Sequence, residues 1–331
     1  MPPGCSDTYP RLIGDVGGTH ARFAVIDSPG SPPTRFRTLC CEDHSGLLEA
    51  VQAYLLLERG LAGPRVAAFG IANPVEGDRV QMTNHDWSFS IEQLRIDLGL
   101  ARLVVLNDFT ALALSLPRLR ADERRQIGAG HERAGRPVAL IGPGTGLGVS
   151  GLVRCGNGYA PLEGEGGHVT LAASTPREAE LIAVLAARFD HVSAERALSG
   201  PGLIALHDAI RQLAGAPPLA LEADEISARA MAASCPWCAE TLQVFCAMLG
   251  SVAGDLALTL GAFGGVYIGG GIVPKLGDFL DRSDFRRRFE QKGRFSDYLA
   301  RIPCYVILAE YPALLGAATA LDNALAGETG T

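Results

Sequence analysis

The sequence predicts a two-domain α/β protein in which both halves open on the same device: a strand, a glycine-rich turn and a second strand. Leu12 to Asp27 reads Leu-Ile-Gly-Asp-Val-Gly-Gly-Thr-His-Ala-Arg-Phe-Ala-Val-Ile-Asp. Val138 to Val153 reads Val-Ala-Leu-Ile-Gly-Pro-Gly-Thr-Gly-Leu-Gly-Val-Ser-Gly-Leu-Val. Leu140-Ile-Gly142 echoes Leu12-Ile-Gly14 about 128 residues earlier, and each is followed by glycines, a threonine and an apolar run, the mark of an internal repeat. The bulk numbers agree: 331 residues, 47% of them hydrophobic, bury a substantial core and favour two domains over one.

In the first copy a buried strand is expected to end at Ile13. Gly14, Gly17 and Gly18 then permit backbone angles closed to other residues, and Phe23 to Ile26 return as a second strand. Such a turn offers bare N–H groups to an anion, and Asp15 and Thr19 beside it suit a hydrated Mg²⁺ and a phosphate oxygen. An ordinary glycine-bearing hairpin is the alternative. No Gly-Lys-Ser or Gly-Lys-Thr closes the loop, and Gly-x-Gly-x-x-Gly is absent. A strand-turn-strand loop with an early Asp instead resembles the ATPase fold of actin, Hsp70 and hexokinase. That resemblance implies a two-domain actin-like ATPase (ribonuclease H-like) fold with the active site in the interdomain cleft.

Composition narrows the partners. Asp and Glu (36) exceed Lys and Arg (29), giving a net charge of -7, and no basic cluster is long enough to track a phosphate backbone, so nucleic acid is not expected. The first ten residues have neither a basic n-region nor an apolar h-region, and a cytoplasmic location is expected. Leu256 to Val273 is apolar, but six glycines break it; a helix end followed by a buried strand fits better than a membrane span. Eight cysteines lie without regular spacing, as reduced thiols do. Cys235-Pro-Trp-Cys238 lacks the second ligand pair or preceding strand of a zinc or redox site and reads as a helix start with Pro236 in its first turn.

The remaining elements follow in order. Ser45 to Gly60 has helical apolar spacing, Arg65 to Ala72 reads as a strand, and Ser90-Ile-Glu-Gln93 is a capping box. The polar, aromatic loop Met82 to Ser88 is either a substrate lid or a plain surface loop. A strand from Arg102 to Leu106 runs into Asn107 and Asp108, which sit at its carboxyl end where ligands bind open α/β sheets; a mere N-cap Asp is the alternative. Leu162 to Leu171 carries Glu165 and His168 among glycines, a set suited to a polyhydroxylated ligand, with zinc as the rival. Thr175 caps another helix, Glu195 read alone is a solvated side chain, and an apolar helix from about Pro236 is expected in the larger core. Gly264 to Lys275 is a buried strand feeding the turn Gly269-Gly270-Gly271, open enough for adenosine. Cys304 to Leu308 makes a late strand and Pro312 to Leu325 a last helix.

Together, Gly14-Asp-Val-Gly-Gly-Thr19, Asn107-Asp-Phe-Thr-Ala111, Gly144-Thr-Gly-Leu-Gly148, Gly164-Glu-Gly-Gly-His168, Ser193-Ala-Glu-Arg196, Leu198-Ser-Gly-Pro-Gly202 and Gly264 to Pro274 resemble the bacterial glucokinases of the hexokinase-like superfamily, in that family's order and over nearly the whole chain. The resemblance implies ATP-dependent phosphorylation of glucose at its 6-hydroxyl. It assigns the sugar to Asn107, Asp108, Glu165, His168 and Glu195, with Asp108 as base. It assigns ATP to Gly14, Asp15, Val16, Gly17, Gly18, Thr19, Gly144, Thr145, Gly146, Gly269, Gly270 and Gly271, and Mg²⁺ to Asp15 through water. It also implies a small domain of residues 1–118 completed by a helix in 309–331, a large domain of 119–308, and a homodimer; from the composition, no membrane partner is expected. Another hexose, or a sugar-sensing regulator of the same fold, is the competing reading. Two positions depart from the pattern: His20 stands where Asn is usual, and Pro143 where a residue with an N–H is usual. Pro143 cannot donate, so phosphate contacts in the second loop should begin at Gly144 or later.

Overall fold

The computed structural model describes residues 8–82, 85–156 and 158–328. The chain divides into two compact units, Met1–Leu119 with Ala309–Thr331, and Arg120–Leu308.

The first unit is built on a sheet of order β3-β2-β1-β4-β7. Strand β1 (Arg11–Val16) turns back into β2 (His20–Ile26), which pairs antiparallel with β3 (Thr34–Cys40). On its other side β1 runs parallel to β4 (Val66–Ile71), and β4 to β7 (Arg102–Asn107). Successive side chains of a strand point to opposite faces, and both faces of this sheet are covered. Leu12, Phe23, Val25, Ala67 and Phe69 pack with Leu47, Val51 and Tyr54 of helix α1 (Leu47–Leu57) and with Leu94 of α2 (Ile91–Asp97). Their neighbours Ile13, Ala24, Val66 and Ala68 pack instead with Leu314, Ala317 and Leu321. Those three residues belong to the chain's last helix, which therefore completes the first unit.

The loop at 82–88 joins a short hairpin, β5 (Arg79–Gln81) with β6 (Ser88–Ser90). Thr83 and Asn84 lie outside the described residues. Trp87 is buried in the first unit's core and donates its indole N–H to the His44 carbonyl at 3.1 Å, so the hairpin is anchored at that end. The Ser90 hydroxyl caps α2, accepting the Gln93 amide at 3.0 Å.

Helix α3 (Asp108–Ser115) follows β7 without a linker. It is seated by two glycines. A Cβ on Gly70 of β4 would lie 3.0 Å from the Ala111 Cβ, and one on Gly316 would lie 1.6 Å from the Ala111 carbonyl oxygen. Ala111, itself fully buried, is wedged between a strand and a helix that both lack side chains there.

The second unit repeats the strand order. Its sheet runs β11-β10-β9-β12-β13-β8, with β8 (Arg124–Ile127), β9 (Val138–Pro143), β10 (Leu147–Cys155), β11 (Gly158–Leu162), β12 (Val266–Ile268) and β13 (Cys304–Ile307). As in the first unit, the opening strand pairs antiparallel with the next and parallel with the fourth, and the fourth pairs parallel with the fifth. Strand β8 is added at the far edge, antiparallel to β13.

Helices α4 (Pro176–Ala186), α5 (Gly200–Leu213), α6 (Ala223–Met231) and α7 (Pro236–Leu260) supply most of this unit's core. Thr175 caps α4 by accepting the Glu178 amide at 3.2 Å. By length and composition α7 could cross a membrane, but its Leu242, Phe245, Leu249 and Ala253 are wholly buried inside the unit. The apolar run at 256–273 resolves into the last turn of α7 and strand β12. Three short helices, α8 (Asp278–Arg282), α9 (Phe285–Glu290) and α10 (Ser296–Ala300), lead to β13, and α11 (Pro312–Glu328) returns to the first unit.

Glu178 and Arg288 form a buried ion pair in the second unit. Glu178 Oε1 accepts Arg288 Nη1 at 2.6 Å and Oε2 accepts Nη2 at 3.1 Å, while Arg288 also donates to the Ser251 hydroxyl at 2.8 Å. Burial alone would raise the Glu178 pKa; Arg288 and the Ser174 and Thr175 contacts outweigh it and hold the carboxyl below its ordinary range. A buried pair is costly to break, because the remaining charge has no partner.

Two stability measurements test these packings, and the chain's two tryptophans, one in each unit, allow separate readouts. Arg288→Met should cost about 3–5 kcal/mol in urea unfolding followed by Trp237 fluorescence in a Trp87→Phe background. The loss should shrink as the pH falls through the Glu178 range, since a depressed carboxyl stabilises only while ionised. Gly316→Ala should cost about 1–3 kcal/mol through overpacking against Ala111, followed by Trp87 in a Trp237→Phe background.

Candidate active site

The first loop is shorter than its glycines imply. Gly14 lies inside β1, opposite Phe23 and Phe69, and neither it nor Gly17 or Gly18 takes a left-handed angle. Gly14 is glycine because a Cβ there would sit 2.7 Å from the Phe69 ring. Val16 is also in the strand, fully buried, with its carbonyl accepting the Ala72 amide at 3.0 Å. The turn proper is Gly17, Gly18 and Thr19, closed by the Gly17 amide donating to the His20 carbonyl at 2.9 Å. The Gly18 and Thr19 amides make no hydrogen bond among the described residues. These are donors a phosphate can accept.

Asp15 stands one residue before that strand end, partly buried. Burial raises its pKa, and Arg22, whose Nη1 approaches Oδ2 at 3.3 Å, pulls it back without cancelling the rise. Arg22 was not singled out from the sequence. The signal for it is the hairpin register itself, which sets Asp15 opposite Arg22.

At the end of β7 the helix cap is Asn107, not Asp108. The Asn107 Oδ1 accepts the Phe109 and Thr110 amides at 2.9 and 3.1 Å, and its Nδ2 donates to the Asn73 carbonyl at 3.3 Å. Asp108 is the first residue of α3, with Oδ1 accepting the Phe109 amide at 2.9 Å. Its carboxylate therefore stands at the positive end of the helix, where negative charge is favoured.

In the second unit four segments meet. The Gly144 amide donates to the Gly146 carbonyl, and the Gly144 carbonyl accepts the Gly200 amide at the start of α5, both at 2.8 Å. The Thr145 and Gly146 amides make no hydrogen bond among the described residues. Pro143 ends β9, and its carbonyl accepts the Ile272 amide at 3.3 Å, which ties the 144–146 loop to the 269–271 turn. Gly270, at φ +77°, passes so close to Pro143 that a Cβ would lie 2.2 Å from its carbonyl oxygen.

Glu195 is not simply a solvated side chain. Its Oε2 accepts the Leu147 amide at 2.9 Å and lies where a Cβ on Gly146 would intrude. The Ser199 hydroxyl donates to the Glu195 carbonyl at 2.8 Å and accepts the Gly202 amide at 3.0 Å, fixing this connector to the head of α5. Glu165 precedes a short 3-10 turn and His168 ends it, both exposed, with Oε2 and Nε2 3.9 Å apart. The glycines between them serve close approach rather than looseness: a Cβ on Gly167 would lie 2.0 Å from the Leu147 carbonyl oxygen. Leu147 thus links the Glu195 carboxylate to the Glu165–His168 turn.

No group of three or more His, Cys, Asp or Glu side chains able to hold a metal occurs among the described residues. Asp15 fits the other mode, in which a hydrated Mg²⁺ is shared between one carboxylate and phosphate oxygens. A carboxyl whose pKa is raised by folding contributes stability at low pH that is lost as the pH rises through the raised value. Asp15→Asn should therefore unfold at a higher temperature than the parent at neutral pH, and the gap should close below the carboxylate range, as scanning calorimetry across pH would record.

Comparison with known proteins agrees over the whole chain. A family model described as Glucokinase matches residues 12–324. The chain is 96% identical over 331 residues to a protein named Glucokinase from Aromatoleum aromaticum, covering all of both chains. The crystal structure of a glucokinase from an Antarctic psychrotroph matches at a TM-score of 0.86 and 38% identity, over 95% of this chain and 99% of that one. The fold alone is shared with a ROK family glucokinase from Streptomyces griseus in complex with glucose and AMPPNP, at 21% identity and a TM-score of 0.64 over 93% and 98% of the two chains.

Proposed function

The chain belongs to the glucokinase family, and we propose how its residues divide the work as it transfers the γ-phosphoryl group of ATP to the 6-hydroxyl of glucose, giving glucose 6-phosphate and ADP. The full-length identity of 96% carries the reaction. The fold is the two-domain α/β fold of the actin-like ATPases, and the enzyme is an ATP-dependent hexose kinase.

We assign the role of base to Asp108. Phosphoryl transfer asks the protein for positioning and charge neutralisation more than for covalent chemistry. A carboxylate at the head of α3 stands where the helix dipole favours negative charge, and from there it can orient the 6-hydroxyl and take its proton late in the transfer. Asn107 stands beside it with its carbonyl oxygen committed to the helix cap. Glu165, His168 and Glu195 are assigned to the other sugar hydroxyls: carboxylates accept from hydroxyls, and imidazole does either. Glu195 does so with one oxygen, since the other is tied to Leu147.

Phosphate oxygens are assigned to the amides of Gly18 and Thr19 and to those of Thr145 and Gly146. Adenosine is assigned to the Gly269–Gly271 turn, where Gly271 has open space on its Cα side. Asp15 would hold Mg²⁺ through water, and the ion when bound neutralises charge on the phosphates. A cytoplasmic location is supported by the free thiols of all seven described cysteines. A homodimer follows from the family resemblance.

The deciding experiment is ADP production from MgATP with glucose, mannose, fructose and N-acetylglucosamine. Strong preference for glucose is expected, and equal rates with another hexose would move the assignment to it. Asp108→Asn should lower turnover by about 10²–10⁴ with ATP affinity nearly intact. Wild-type turnover in that variant would remove Asp108 from the role.

A further inference from the structure

Helix α7 opens with Cys235-Pro-Trp-Cys238, and phosphoryl transfer gives this segment no task. Cys235 occupies the N-cap, where serine or aspartate is usual. Its sulfur accepts the Cys238 amide at 3.4 Å. That sulfur stands at the positive end of a 25-residue helix. A guanidinium lies alongside: Arg211 sits 4.5 Å over the Trp237 ring, held there by the Pro217 carbonyl.

The two thiols are unlike. Burial alone would raise the Cys235 pKa, but the Cys238 and Trp237 amides, the Cys238 thiol and Arg211 outweigh it and hold it below its ordinary value. Cys238 is wholly buried, and burial together with its hydrogen bond to Cys235 pushes it up to about 11. Burial likewise pushes Cys41 up to about 11 and Cys246 and Cys304 to about 12. Cys235 alone among these combines partial exposure, a stabilised thiolate and a second cysteine whose amide bonds its sulfur. A stabilised thiolate next to a buried thiol is the arrangement of an attacking and a resolving cysteine.

We propose that Cys235 and Cys238 form a reversible dithiol–disulfide site for hydroperoxides, with Cys235 as the attacking thiolate and Cys238 as the resolving thiol. The Cys235 sulfur attacks one peroxide oxygen, an S–O bond forms, the O–O bond breaks, and the departing alkoxide or hydroxide takes a proton from solvent. The Cys238 sulfur then attacks the resulting sulfenic acid. An S–S bond forms, the S–O bond breaks, and hydroxide leaves as water with the Cys238 proton. Two electrons pass from the two thiols to the peroxide, and an external dithiol returns them.

The test uses the reduced full chain with an equimolar amount of hydrogen peroxide, followed by peptide mass mapping. A Cys235–Cys238 disulfide reversed by dithiothreitol is expected. Cys238→Ser should stop at a Cys235 sulfenic acid that dimedone captures. Cys235→Ser, which keeps a capping oxygen, should leave Cys238 unoxidised. Cys235 should also react with iodoacetamide at neutral pH about tenfold faster than the exposed Cys155. Cys235 and Cys238 remaining thiols while Cys155 is oxidised, or alkylation of Cys235 no faster than of Cys155, would overturn the proposal.

Discussion

Ala111 is the point on which the first unit's chemistry rests. Helix α3 must lie close enough to β4 and α11 to present Asp108 at the sheet's carboxyl end, and that distance is set by Gly70 on one side and Gly316 on the other. A methyl group on either would push the helix and its first residue away. Interiors pack at crystal-like density, so such a displacement is not absorbed locally. Asn107 adds the polar half of the constraint by satisfying the first free amides of α3, which fixes where the helix begins. The position of Asp108, the proposed base, is thus decided by Gly70, Ala111, Gly316 and Asn107.

The second unit reaches rigidity by different means. Leu147 receives Glu195 at its amide and Gly167 at its carbonyl, so two polar segments far apart in sequence are referred to one residue of β10. Gly144 and Pro143 do the same for the head of α5 and the 269–271 turn. The polar tips themselves, Glu165 and His168, stay exposed while their backbones are held. A set of fixed bases with free tips suits ligand binding, because little ordering remains to be done when the ligand arrives.

Much of this was legible in the chain of letters, and the omissions have physical causes. The repeated Leu-Ile-Gly followed by a threonine pointed to two equivalent hairpins, and the strand order repeats around both. Caps at Ser90 and Thr175 were readable because their signal is local. The role of Gly14 was misread, since a glycine required by a ring across the sheet looks the same in sequence as one required by a turn. Arg22 and the Glu195 bond to the Leu147 amide were missed for a related reason: each depends on register or on a contact 48 residues away. The weak strands β3, β5, β6, β8 and β11 carry no long apolar run and stand at edges or in the small hairpin.

The return of α11 to the first unit also sets the order in which the protein can mature on the ribosome. The face formed by Ile13, Ala24, Val66 and Ala68 is made early, yet its cover of Leu314, Ala317 and Leu321 emerges only after every residue of the second unit has been synthesised. The Arg11–Asp322 bond, 2.5 Å long, spans 311 residues. The second unit, being continuous, can close while translation proceeds, whereas the first must wait with an apolar face uncovered. Nascent chains stalled before residue 312 should therefore be the species that chaperones hold longest.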